Sequence, residues 1–147
     1  MPRLARTEIF EPICGQLARL AQGKHHTLIW GDFGEKLGEP DPGLMKQAFQ
    51  SFIRQTVAEV FFAPLELKSD KDQINQSIIN IFENTGIPIV LLDRDIVAFP
   101  RRSRFDLVSI NNVRAGFLIT EHLMRLGCRR IDFLARPNSA PTVFPRT

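Results

Sequence analysis

No apolar run in these 147 residues approaches the roughly 20 residues of a membrane-spanning helix, so no transmembrane segment is expected. Arg3 and Arg6 lie near the amino terminus, but no apolar signal-peptide core follows them. The only two cysteines, Cys14 and Cys128, are far apart, make no metal-ligand pattern and suit a reducing compartment. The cytoplasm is therefore the expected location. Gly-x-Gly-x-x-Gly and Walker sequences are absent, which removes the common phosphate-cradling loops. His25, His26 and His122 have no carboxylate or cysteine at metal-ligand spacing, and the adjacent Glu121 and His122 would face different ways on a helix. No metal and no cofactor are expected. Asp32-Phe33-Gly34 spells the kinase magnesium motif without the loop and lysine strand that give it meaning, and chance accounts for it. Asn75-Gln-Ser77 fits a glycosylation sequon, which carries little weight without a secretory signal. No nucleophile, base and orienting acid can be assembled, so a non-catalytic protein is expected. Helix-turn-helix character is also absent, and a net charge of +3 is too small for strong phosphate neutralisation. The one basic cluster, Pro100-Arg-Arg-Ser-Arg104, reads as a solvated loop.

What is there is ordinary for a globular chain: 44% hydrophobic residues against 24% charged, enough to build a core. Apolar positions at Ile9, Ile13, Leu17, Leu20 and Ala21 predict a helix over 8–22, with Thr7 or Pro12 at its start and Gly23 at its end. Thr27–Trp30 reads as a short strand, and the loop to Pro42 as irregular, since it holds three glycines and two prolines. Asp41-Pro42 then starts a helix with its stripe at Met45, Ala48, Phe49, Phe52 and Ile53. A strand over Ala58–Ala63 follows, stopped by Pro64. Ser69 and Asp72 suggest a capping box for a helix lined by Ile74, Ile78, Ile81 and Phe82 and closed by Gly86. Strands over Phe105–Ile110 and Ile131–Leu134 flank a helix capped by Asn111 or Asn112, whose apolar face is Phe117, Leu118, Leu123 and Leu126, with Gly127 at its end.

Gly86-Ile-Pro-Ile-Val-Leu-Leu-Asp-Arg94 is the stretch on which the rest depends. Its apolar run, broken only by Pro88, has no polar alternation, the pattern of a parallel strand buried on both faces. Strands alternating with helices at about thirty-residue intervals imply βαβ units and a parallel sheet. In such a sheet, polar groups at the carboxyl end of a strand point into the crevice where ligands bind. Asp93 and Arg94 occupy that position, suited to hydrogen bonds with a polyhydroxylated ligand.

Three stretches in order resemble the effector-binding domain of LacI/GalR-type transcriptional repressors: Gly86 to Arg94; Phe105-Asp-Leu-Val-Ser-Ile-Asn-Asn112; and Thr120-Glu-His-Leu-Met-Arg-Leu-Gly-Cys-Arg-Arg-Ile131. The resemblance implies an α/β, parallel-sheet, periplasmic-binding-protein-like fold of type I, here the N-terminal lobe plus the start of the second lobe. Residues 1–110 would be the N-terminal lobe, 111–137 the crossover and beginning of the second lobe, and 138–147 a disordered tail. It also implies a sensing module for a small-molecule effector, a sugar or similar compound, with Asp93 and Arg94 binding its hydroxyls. Phe10, Glu66 and Asn112 fall where the family's other ligand-side segments lie. The family's homodimer is implied for the full-length protein, and DNA contact only through a separate helix-turn-helix domain. A periplasmic sugar-binding component of a transporter is the alternative, disfavoured by the lack of a secretion signal.

The sequence departs from the family at Ala58-Glu59, where Asp-Gly is usual, at Asn111, where the family has Asp, and before Ile9-Phe10, where Asn-Pro is lacking. The family's helix-turn-helix and hinge helix have no counterpart, and its first strand would precede Thr7, where Pro2–Arg6 makes a poor strand. The expectation is a regulator truncated at both ends. Phe117, Leu118, Leu123 and Phe133 should then be partly exposed, and the chain prone to aggregate or dimerise.

Overall fold

The computed structural model describes residues 9–31, 35–36, 39–40, 42–66, 69–98, 100–134 and 137. Expectations for Met1–Thr7, Asp32–Gly34, Asp41 and the tail over 138–147 lie outside these residues. The chain divides into two compact units, Met1–Val57 and Ala58–Thr147, so the lobe junction expected at 110/111 lies inside the second.

In the first unit, α1 (Phe10–Gly23) and α2 (Pro42–Arg54) flank a minimal antiparallel pair, β1 (Glu35–Lys36) and β2 (Glu39–Pro40). That pair corrects the expectation of an irregular loop throughout. Pro42 is the first residue of α2, as its preset φ and absent N–H favour. Among the described residues of the unit, Phe10 and Phe49 are the buried apolar ones. α1 ends at Gly23, as expected, and α2 at Arg54; His25 (φ +59°) follows α1 and Thr56 (φ +53°) follows α2 in the left-handed region. After Thr56, Val57 N–H donates back to Phe52 O at 3.4 Å, closing the last turn.

Thr27–Trp30 does not form the expected strand, and Ile29 and Trp30 stay exposed. Apolar, β-branched composition favours a strand only when a neighbouring chain supplies the ladder, and no ladder bond reaches these residues among those described.

The second unit carries a three-stranded parallel sheet in the order β3-β4-β5, from β3 (Val60–Phe62), β4 (Ile89–Leu92) and β5 (Asp106–Val108). Val60 pairs with Ile89 and Val90 with Asp106, so β4 lies between two edge strands. Burial follows this order: Ile89, Leu91 and Leu92 are buried, whereas Phe61 and Val108 are exposed. The near-continuous burial of β4 is what its unalternated apolar run predicts.

Between β3 and β4 runs α3 (Lys71–Thr85). Its buried face is Asn75, Ile78, Ile79 and Phe82 rather than the expected Ile74–Ile78–Ile81–Phe82 stripe. With Phe62, Ile89, Leu91 and Leu92 these residues make the core, in which Ile79, Phe82 and Leu91 are fully buried. The expected capping box is not formed: α3 starts at Lys71, and Asp70, at the cap position, makes no side-chain capping bond. Gly86 ends the helix at φ +71°, and Ile87 N–H donates to Phe82 O, turning the chain directly into β4.

The described residues between β4 and β5 include no helix, and α4 (Asn112–Arg125) follows β5. Asn111 caps it, its Oδ1 accepting from Arg114 N–H at 2.9 Å. Ile131–Leu134, expected as a strand, does not form one, and Phe133 and Leu134 are exposed. Nothing on α4 is buried; Val113, Phe117, Leu118 and Ile119 are each about half exposed or more. Phe117, Leu118 and Phe133 are thus exposed as the sequence suggested, and Leu123 is half-buried.

Candidate functional site

Glu66, Asp93 and Arg94 come together at the carboxyl ends of two neighbouring parallel strands. β3 ends at Phe62, and the chain runs through the buried Pro64 to Leu65. There Asn75 of α3 takes hold of the backbone: Leu65 N–H donates to Asn75 Oδ1 at 2.8 Å, and Asn75 Nδ2 donates to Leu65 O at 3.1 Å. Asn75 thereby does what a ladder partner would do, satisfying both backbone groups of a residue beyond the sheet. Glu66 is the next residue, so its position is set from α3.

Asp93 and Arg94 follow Leu92 at once. Asp93 N–H donates to Val108 O at 2.8 Å, which prolongs the β4–β5 ladder by one bond. Arg94 N–H then donates to Leu92 O at 2.8 Å, two residues back, and Asp93 between them has φ +69°. This is a three-residue γ-turn of the positive-φ kind, a rare and strained geometry. Short polar residues such as aspartate tolerate it best among those with a Cβ, and strain of this sort clusters where a ligand or switch is served.

The turn lets Arg94 fold onto its own neighbour. Nε and Nη2 donate to Asp93 Oδ2 at 2.9 and 2.5 Å, and Nη1 meets Glu66 Oε1 at 2.5 Å. Arg94 is only 6% exposed, while the carboxylate side chains of Glu66 and Asp93 keep 22% and 20% of their surface. A guanidinium removed from water must be matched by charge and by hydrogen bonds, and the two carboxylates supply both. Each uses one oxygen. Asp93 Oδ1 and Glu66 Oε2 take no part in these bonds, on side chains that each keep about a fifth of their surface exposed.

Asp95 is a participant the sequence reading missed. It is buried, and its Oδ1 and Oδ2 accept from Val97 N–H (3.2 Å) and Ser103 N–H (3.1 Å), fastening the connection that follows the turn. The bond to Val97, two residues on, is an Asx-turn, and an aspartate at the start of a loop is its available sequence signal. Asn75 was missed as well, since only a long-range contact shows what it holds.

The two remaining expected ligand residues are Asn112 and Phe10. Asn112 is exposed in the first turn of α4, with no hydrogen bond to the cluster among the described residues. Phe10 is buried in α1 and belongs to the other unit. A cavity of about 350 Å³ lies at the opposite, amino-terminal end of β4 and β5, lined by Gly86, Pro88 and Phe105. Of its three charged residues, Glu83, Arg104 and Asp106, the first two are paired with each other. No group of three or more His, Cys, Asp or Glu able to hold a metal occurs among the described residues. Among them, too, no helix is long and apolar enough to cross a membrane. Compared with protein-family models, with characterised proteins and with solved structures, the chain matches none.

Proposed function

We propose that the chain is the effector-sensing part of a LacI/GalR-type transcriptional regulator, non-catalytic and cytoplasmic, with a fold of the type I periplasmic-binding-protein kind. Its ligand is a sugar-like polyhydroxylated molecule taken up at the Glu66–Asp93–Arg94 cluster. The sequence resemblance from Gly86 to Ile131 supports this reading. The observation that carries it is the convergence of two partly exposed carboxylates and a buried guanidinium at the carboxyl ends of adjacent parallel strands, where ligands of open α/β sheets bind. Sugar hydroxyls donate to the outward oxygens of Asp93 and Glu66, while Arg94 holds both carboxylates in place.

Isothermal calorimetry of the full chain against a panel of monosaccharides tests the reading. A charge-assisted hydrogen bond contributes about 1.5–3 kcal/mol, so Asp93→Ala and Glu66→Ala should each weaken binding of a responding sugar about 10-fold or more. A panel in which nothing binds, or folded variants with undiminished affinity, overturns it.

A further inference from the structure

Resting on that reading, we infer that the site selects uncharged or amine-bearing polyols and rejects phosphorylated sugars and sugar acids. An arginine next to a ligand crevice ordinarily suggests anion recognition, because its planar fork matches phosphate and carboxylate oxygens. Here the fork is already engaged. All three guanidinium nitrogens of Arg94 meet carboxylate oxygens of this chain, Nε and Nη2 on Asp93 Oδ2 and Nη1 on Glu66 Oε1. The arginine side chain is 7% exposed, so what the cluster shows to solvent is carboxylate.

The formal charge of the triad is −1, two carboxylates against one guanidinium. Asp95, one residue beyond Arg94 and buried, adds a further carboxylate whose two oxygens are occupied by backbone N–H groups and not by a cation. An incoming phosphate would therefore meet acceptor oxygens and a negative field. To reach Arg94 it would have to displace a carboxylate already bonded there. Hydroxyl groups face no such barrier, since each donates to Asp93 Oδ1 or Glu66 Oε2. A protonated amine on the same ring donates to those oxygens with a favourable charge.

The test is paired calorimetry at low salt on the full chain: D-ribose against ribose 5-phosphate, and D-glucose against glucose 6-phosphate and D-glucosamine. The expected result is that each phosphate binds about 100-fold or more weakly than its parent, the size of a like-charge contact at an effective dielectric near 20. Glucosamine binds at least as tightly as glucose. Glu66→Gln removes one formal negative charge while keeping the side chain's size, and should narrow the sugar-to-phosphate ratio by about 10-fold or more. Circular dichroism establishes that the variant is folded, and the wild-type ratio stands as the test in any case. A phosphate ester binding as well as its parent sugar, held for instance by the exposed Arg101 and Arg102 of the same connection, overturns the inference and leaves the sugar-sensing reading intact. If no member of the panel binds, both fall together.

Discussion

Removing the Asn75 side chain should loosen the carboxyl end of the sheet without touching a charged residue. In Asn75→Ala two hydrogen bonds are lost, from Leu65 N–H at 2.8 Å and to Leu65 O at 3.1 Å. Each is worth about 0.5–1.5 kcal/mol net, and the orphaned backbone groups of half-buried Leu65 raise the cost toward the upper end. The expected loss is about 2–3 kcal/mol, a large share of the roughly 5–15 kcal/mol by which a domain is stable. At about 3 °C per kcal/mol for a chain of this size, the melting temperature falls by about 6–9 °C. Urea titration gives the free energy, and amide hydrogen exchange localises it: Leu65 N–H, protected in the native chain, should exchange far faster in the variant. Asn75→Asp separates bonding from volume. It keeps an acceptor for Leu65 N–H but sets a carboxylate against Leu65 O, so it should be no more stable than the alanine variant. If Asn75→Ala stays within about 0.5 kcal/mol of the parent and Leu65 keeps its protection, Asn75 is not what holds the Glu66 segment, and the reasoning is refuted.

Two further perturbations test other parts of the chain. Thr56 closes α2 at φ +53°, a conformation that costs an L-residue roughly 1–2 kcal/mol and glycine almost nothing. Allowing for the greater flexibility of glycine in the unfolded chain, Thr56→Gly should gain about 0.5–1 kcal/mol, read as a rise of about 2–3 °C in thermal melting; no rise would mean that the turn is unstrained. Burial pushes the Cys14 thiol up from its ordinary range, whereas Cys128 is exposed. A group with a raised pKa stays protonated longer as pH rises, so with an aromatic disulfide reagent near pH 8 Cys14 should react well after Cys128 and speed up steeply as the pH is raised. Equal labelling rates near pH 8 would contradict the partial shielding of Cys14.

Much of the second unit was legible because its signals are local. Gly86 is where only a residue tolerant of positive φ ends α3 cheaply, and the apolar run after it has one stable fate, a strand covered on both faces. Pro42 likewise starts α2 at the position where its missing N–H costs nothing. The polar pair at the end of β4 marked a candidate site by the general geometry of parallel sheets. Thr27–Trp30 and Ile131–Leu134 have equally strand-like composition and form none. A strand exists only if another segment offers its backbone, and no local pattern encodes that offer. The same holds for the site. That Arg94 turns back onto Asp93 and across to Glu66, leaving the two carboxylates more exposed than the guanidinium, depends on a positive φ at Asp93 and on Asn75 holding Leu65 ten residues away. Residue types at single positions determined which groups could take part. The tertiary structure decided which of them face water, because burial and pairing belong to segments brought together only when the chain folds.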